Sequence, residues 1–181
     1  MSNEINKACA FTGHRPQKFP WKFKEEDQRC VALKAVLSSQ IEKMAAAGVT
    51  DFYSGMALGV DTWSASAVLE LRERNPAIKL HCVLPCEGQE IKWTAPAQTH
   101  YRLILEQADS IEYVTRFYSK NCMLERNKRL VDYAGYLLAV YNGEWCGGTA
   151  ATIRYAQKMN RRIILIDPLT QQITNGGERT L

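Results

Sequence analysis

Six short apolar runs are separated by stretches with helical spacing: Ala8 to Thr12, Asp51 to Tyr53, Lys79 to Leu84, Ser110 to Val114, Tyr136 to Tyr141 and Arg162 to Asp167. This alternation constrains the fold more than any other feature of the chain. A strand that is apolar throughout, with no in-and-out alternation, is buried on both faces, and a helix after each strand supplies the cover. Between the runs, Leu33, Val36, Leu37, Ile41, Met44 and Ala45 recur at helical spacing within 25–47, and Gly48 stands where that helix should stop. Further helices are predicted over 62–74, 98–108, 119–133 and 149–159. The predicted class is α/β: a single doubly wound, mostly parallel sheet with helices on both faces, Rossmann-like in arrangement. With 181 residues, one domain is expected over 1–168, followed by a polar, loosely attached tail over 169–181.

In such a sheet ligands sit beyond the carboxyl ends of the strands, where the winding reverses. Three loops fall there. After the strand at 51–53 comes SGMALGVD, in which Ser54, Gly55, Met56 and Gly59 lead to a helix start that is read as an anion cradle. Asp61 in that loop either caps the helix amides or contacts a ribose hydroxyl, since a carboxylate would repel a phosphate. The first strand ends in Thr12, Gly13, His14 and Arg15, with Pro16 holding Arg15 extended. An arginine presented there suits a phosphate or carboxylate; the plainer alternative is a surface arginine paired with a nearby acid. His14 has no evident carboxylate partner and is not assigned a catalytic role. In the third loop, Gly147 and Gly148 precede Thr149 at another helix start. Gly55 and Gly59 have the same spacing as Gly143 and Gly147, read as two loops with similar tasks. On the helix over 119–133, Asn127 falls on the apolar stripe of Met123, Leu124, Leu130, Val131 and Ala134, with Arg126 beside it. Asn127 either ties down neighbouring backbone or reaches the ligand. Neither glycine loop fits a Walker pattern or a dinucleotide fingerprint.

Composition narrows the classes further. No apolar run approaches the roughly 20 residues that cross a bilayer, and MSNEINKACA does not have the form of a signal peptide, which predicts a cytoplasmic protein without membrane association. The six cysteines include no CxxC pair and read as reduced thiols; a zinc site from Cys82, Cys86 and His100 fits no common spacing. A formal charge of +4 attracts phosphate-bearing ligands without the concentrated basic surface of a nucleic-acid binder. Trp21, Trp93 and Trp145 are candidates for stacking on a base or for an interface, and equally for core packing.

The motifs TGHR, SGMALGVD, ERN (125–127) and CGGT (146–149), in that order, resemble the SLOG superfamily of nucleotide-binding proteins, which joins DprA with the LOG phosphoribohydrolases. The similarity runs from about Cys9 to Asp167 and looks nearest to the YpsA-like branch, whose loop with Gln89 and Trp93 it shares. The resemblance implies a nucleotide or nucleotide-derived ligand held by the three loops, with no further cofactor and no metal. The chain is expected to act as a sensor or regulatory module, as a homo-oligomer or with a protein partner. Two alternatives stand beside this: a nucleoside monophosphate phosphoribohydrolase, and DprA-like single-stranded DNA binding. Against the first, the LOG branch carries a glutamate shortly after its glycine stretch, whereas Ala150, Ala151 and Thr152 follow here. Asp61 or Glu87 would replace it only by coincidence of geometry.

Overall fold

In the computed structural model, residues 2–176 are described. After a short helix α1 (Ser2–Ile5) the chain alternates strictly: β1 (Ala8–Gly13), α2 (Gln28–Ala46), β2 (Asp51–Ser54), α3 (Val60–Arg74), β3 (Lys79–Leu84), α4 (Ala95–Gln107), β4 (Ser110–Tyr113), α5 (Cys122–Tyr133), β5 (Tyr136–Val140), α6 (Gly148–Lys158) and β6 (Arg162–Ile166). A last strand, β7 (Ile173–Asn175), closes the sheet. The strand order is β4-β3-β2-β1-β5-β6-β7. All pairings are parallel except that of β6 with β7, where Ile166 faces Ile173 and Ile164 faces Asn175. The antiparallel edge corrects the expectation of a loose polar tail for 173–175; residues 177–181 of that expected tail lie outside the described residues.

The winding reverses between β1 and β5. Helices α2, α3 and α4 cover one face; α5 and α6 cover the other. Successive residues of β1 serve both: Cys9 and Phe11 pack with Phe52, Leu33, Leu37, Val68 and Leu80, while Ala8 and Ala10 pack with Leu130, Val131, Leu137, Ile153 and Ala156. This is the period-two geometry of a strand buried on both sides.

Helix boundaries follow local chemistry. α2 begins at Gln28, not at Glu25, because the Asp27 carboxylate accepts the Arg29 amide at 3.0 Å and fixes the helix start there. Glu25 instead accepts from the Trp63 indole at 2.9 Å and pairs with Lys34. α4 begins earlier than the sequence suggested and takes Pro96 into its first turn, where a missing N–H costs nothing. Among the described residues no helix is long and apolar enough to cross a membrane.

Candidate functional site

Beside the point where the winding reverses, the loops after β1 and β5, the start of α3 and the middle of α5 enclose a cleft of about 550 Å³. Thr12, Gly13, His14, Arg15, Asp61, Arg126, Asn127, Gly147, Gly148 and Thr149 all line it. Ser54, Gly55, Met56 and Gly59 do not; they are buried behind its wall.

The reason lies in the β2–α3 loop. The Ser54 hydroxyl accepts the Met56 amide at 3.1 Å and donates to the Asp61 carbonyl at 2.9 Å. The Ala57 amide donates to Asp61 Oδ2 at 3.3 Å, and the Gly59 amide to Thr62 Oγ1 at 3.2 Å. The loop amides of Met56, Ala57 and Gly59 are therefore used by the chain's own side chains. Gly55 is needed for an internal neighbour: Arg126 of α5 donates from Nη1 to the Gly55 carbonyl and stands 3.4 Å from Asp61 Oδ2. Gln89 donates to the Met56 carbonyl at 3.2 Å and to Tyr101 Oη at 3.1 Å, clamping the same loop from the β3–α4 side. Burial raises the Asp61 carboxyl above its ordinary range, opposed first by Arg126 and then by the Ala57 amide and Arg15. Burial likewise lowers Arg126, opposed by Asp61. The pair is almost wholly buried in the cleft wall, and among the described residues Arg126 Nε has no hydrogen-bond partner.

This exchanges the expected roles on α5. Its buried positions are Cys122, Arg126, Leu130 and Val131; Leu124 is exposed and Asn127 half-buried. The buried row thus runs through Arg126 at four-residue steps. An arginine occupies that row because Asp61 and Gly55 meet it there. Asn127 sits on the cleft rim opposite Gly148.

Across the cleft, α6 starts at Gly148 with Gly147 as its N-cap at φ 101°. Gly59, the N-cap of α3, has φ 102°. The left-handed conformation explains glycine at both helix starts. Their partners four residues earlier differ, for Gly55 lies against Arg126 while Gly143 faces open space. The two helix starts differ in charge as well. α3 carries Asp61 in its first turn, whereas α6 has no acid in its own. The first amides of α6 have no intrahelical partner and carry the positive end of its dipole.

On the β1 side Arg15 is extended, at φ −74° and ψ 157°, ahead of the turn Pro16–Lys18. Arg15 is exposed, and among the described residues it forms no ion pair. His14 is buried; its Nε2 lies 2.7 Å from Asn142 Oδ1, which also accepts the Glu144 amide at 3.1 Å. Asn142 therefore fastens the β1 loop to the β5 loop. Lys18 pairs with Glu144 at 3.0 Å across the opening, and hydrogen bonds from Lys18 and Asn142 hold the Glu144 carboxyl below its usual range. With Lys18 matched to Glu144 and Arg126 to Asp61, Arg15 and the start of α6 are the uncompensated positive groups of the cleft.

Asn142, Glu144, Lys18 and Gln17 were not identified from sequence; Asn142 alone had a signal, being the first polar residue after the strand YLLAVY. Trp21 is buried and stacked on Phe19 at 4.8 Å, and Trp145 is exposed beneath Arg154. Glu87 lies outside the cleft, near Arg116. Among the described residues no three of His, Cys, Asp and Glu gather to hold a metal; His100 bonds Ser66, away from Cys82 and Cys86.

The model of the YspA SLOG family matches residues 9–170. The chain belongs to this family. Curated relatives of the chain are UPF0398 proteins. That of Bacillus velezensis is 29% identical over 154 residues, covering 84% of each chain. That of Bacillus pumilus is 30% identical over 153 residues, covering 83% of this chain and 82% of the relative. The UPF0398 protein YpsA of Bacillus subtilis is 27% identical over 154 residues, covering 84% and 85%. Among solved structures, DNA processing protein A (DprA) from Streptococcus pneumoniae superposes with a TM-score of 0.59 at 14% identity. The match covers 90% of this chain and about half, 53%, of DprA. At that identity the likeness concerns the fold.

Proposed function

We propose that this YspA SLOG protein binds a nucleotide-derived small molecule in the cleft between β1 and β5, and that it acts as a ligand-sensing module. The observation that carries this reading is the charge inventory. Every acid in the cleft wall already has a cationic partner, while one arginine and one helix start remain uncompensated. A phosphate placed between Arg15 and the Gly147–Thr149 turn meets a fork of N–H donors on one side and unbonded main-chain amides on the other. A volume of about 550 Å³ suits a small metabolite.

Hydrolysis of the ligand is the weaker reading. Asp61 is engaged by Arg126, and Glu144 is held by Lys18 and Asn142, so neither carboxylate is free to meet a developing oxocarbenium. The likeness to a DNA processing protein suggests strand binding, yet a single uncompensated arginine is a point site, whereas a strand needs a track of cations.

Thermal-shift titration with inorganic phosphate, ribose 5-phosphate and the four common nucleoside 5′-monophosphates tests the proposal, because a ligand of the native state raises the melting temperature by mass action. The expected result is a saturable shift with at least one phosphate compound. In Arg15→Ala the shift is lost while the unliganded melting temperature is unchanged, Arg15 being exposed. An undiminished response in Arg15→Ala refutes the placement. Chromatography of the same mixtures reads out base release, and a free base would restore the hydrolase.

A further inference from the structure

A second cleft, of about 590 Å³, opens on the other side of Arg15. It shares Arg15, Gln17, Ala57 and Met123 with the first, so the two form one continuous depression. Their linings differ in kind. The first is walled by charged side chains and glycines; the second has the rings of Phe23, Trp63, Trp93 and Tyr101 in its wall, with Glu25, Lys92 and His100 among its polar lining. Three of these rings are fixed from behind. Trp63 is buried and donates to Glu25, and Tyr101 is buried and bonded to Gln89. Trp93 stands edge-to-face with Tyr101 at 5.3 Å, while its amide donates to the Glu90 carbonyl at 2.8 Å and its carbonyl accepts from Gln98 at 3.0 Å. Phe23 is the exception, 57% exposed at the edge of an otherwise concave apolar wall.

Building on the reading of the first cleft, we propose that the second is the base subsite for the same ligand. The ligand is then a nucleotide whose planar base lies against Trp93 and Phe23, whose sugar passes Arg15, and whose phosphate reaches the start of α6. Three observations support this choice of occupant. Continuity through Arg15 places an aromatic compartment next to an anion-binding one, matching the two ends of a nucleotide. Aromatic walls are what a base face recognises, and ring positions fixed in advance spare the entropy of ordering them on binding. The exposed Phe23 ring gains a partner only when the compartment is filled. A sugar phosphate without a base would leave this compartment empty.

Isothermal titration calorimetry on the full chain tests the assignment, with ribose 5-phosphate and the four nucleoside 5′-monophosphates as probes. At least one nucleotide is expected to bind roughly 10-fold or more tightly than ribose 5-phosphate, the scale of one base stacked on an aromatic side chain. Phe23→Ala and Trp93→Ala should each remove most of that advantage and leave the affinity for ribose 5-phosphate as it was. Phe23→Ala keeps the test valid should Trp93→Ala disturb the fold. Arg15→Ala should weaken both probes. Equal affinity of the wild-type protein for nucleotides and ribose 5-phosphate, or a preference for nucleotides that survives Phe23→Ala, overturns the base subsite and leaves the phosphate site standing. Failure of the wild-type protein to bind any of the probes overturns both.

Discussion

Gly55→Ala is the substitution whose cost follows most directly from the geometry. A methyl group on Gly55 would lie 1.7 Å from Arg126 Nη1, 2.4 Å from its Cζ and 2.9 Å from its Cδ. The guanidinium would have to retreat by well over an ångström, giving up its bond to the Gly55 carbonyl and its 3.4 Å approach to Asp61. Arg126 and Asp61 would both remain buried, each without its counterion, and breaking a buried pair costs about 3–5 kcal/mol. The loss of backbone freedom in the unfolded chain returns about 0.4–1 kcal/mol. The net destabilisation is therefore about 2–5 kcal/mol, a substantial part of the roughly 5–15 kcal/mol that holds a domain of this kind together. Urea unfolding followed by circular dichroism should show a midpoint lowered by about 1–3 M at an unchanged slope. Gly48→Ala is the control: φ there is +98° with nothing within 4 Å, so only left-handed strain of about 1–2 kcal/mol applies. The sharper test is the double variant Gly55→Ala with Arg126→Met. Because the clash and the pair involve the same guanidinium, the double variant should be less destabilised than the sum of the single ones. Strict additivity, or a midpoint for Gly55→Ala within about 0.3 M of wild type, would refute the argument.

Arg126→Met alone should give the protein a pH-dependent stability. Without its largest favourable partner the Asp61 carboxyl is driven further above its unfolded range by burial, so the folded state keeps a proton that the unfolded state has released. Stability then falls as pH rises from about 4 through the folded pKa, and the urea midpoint should be lower at pH 8 than at pH 5 by more than in the wild type. Cys146 is the one exposed thiol of the six, and it lines the first cleft. A thiol-reactive aromatic disulfide should titrate one fast group in the native protein and six in denaturant, and a bound nucleoside monophosphate should slow the fast one; two or more fast native thiols would show that the buried set is misassigned.

Most of the sheet was legible in the sequence because strands buried on both faces have little choice of residue: the apolar runs at 8–12, 79–84 and 136–141 fall on strands within a residue or so. The edge strand β7 was not legible. Ile173, Thr174 and Asn175 are all exposed, so no hydrophobic pattern marks them, and only their pairing with β6 makes them a strand. At the site, the loops after β1 and β5 could be read because turn residues and a proline mark strand ends. Spacing put Asn127 on the apolar stripe of α5 and Arg126 beside it, but could not show that Arg126 is the more buried of the two, because the acid that allows its burial lies 65 positions earlier, on another element. Gly55 was misread for the same reason: sequence shows that something must come close, but not that it is the chain's own guanidinium.

The recurring glycine spacing, Gly55 with Gly59 and Gly143 with Gly147, shows how one chain builds two similar helix starts of different charge. Both N-caps are left-handed glycines, and Asp61 in α3 and Thr149 in α6 line the same cleft. Asp61 supplies an internal negative charge to the start of α3, and nothing corresponding exists in the first turn of α6. On the proposed reading, an incoming anion would be repelled by the start of α3 and attracted by that of α6. Gly148→Asp puts an acid into the first turn of α6, one position before the place Asp61 holds in α3, where a Cβ meets only Asn127 Nδ2, at 3.7 Å. An acid in the first turn should stabilise the helix by about 0.3–1 kcal/mol at low salt. The same carboxylate should abolish the thermal shift produced by nucleoside monophosphates or inorganic phosphate. A rise in unliganded melting temperature together with loss of the ligand response is an unusual pairing, since substitutions that damage a site through the fold lower both. If Gly148→Asp instead responds to phosphate compounds as the wild type does, the open helix start is not where the anion sits.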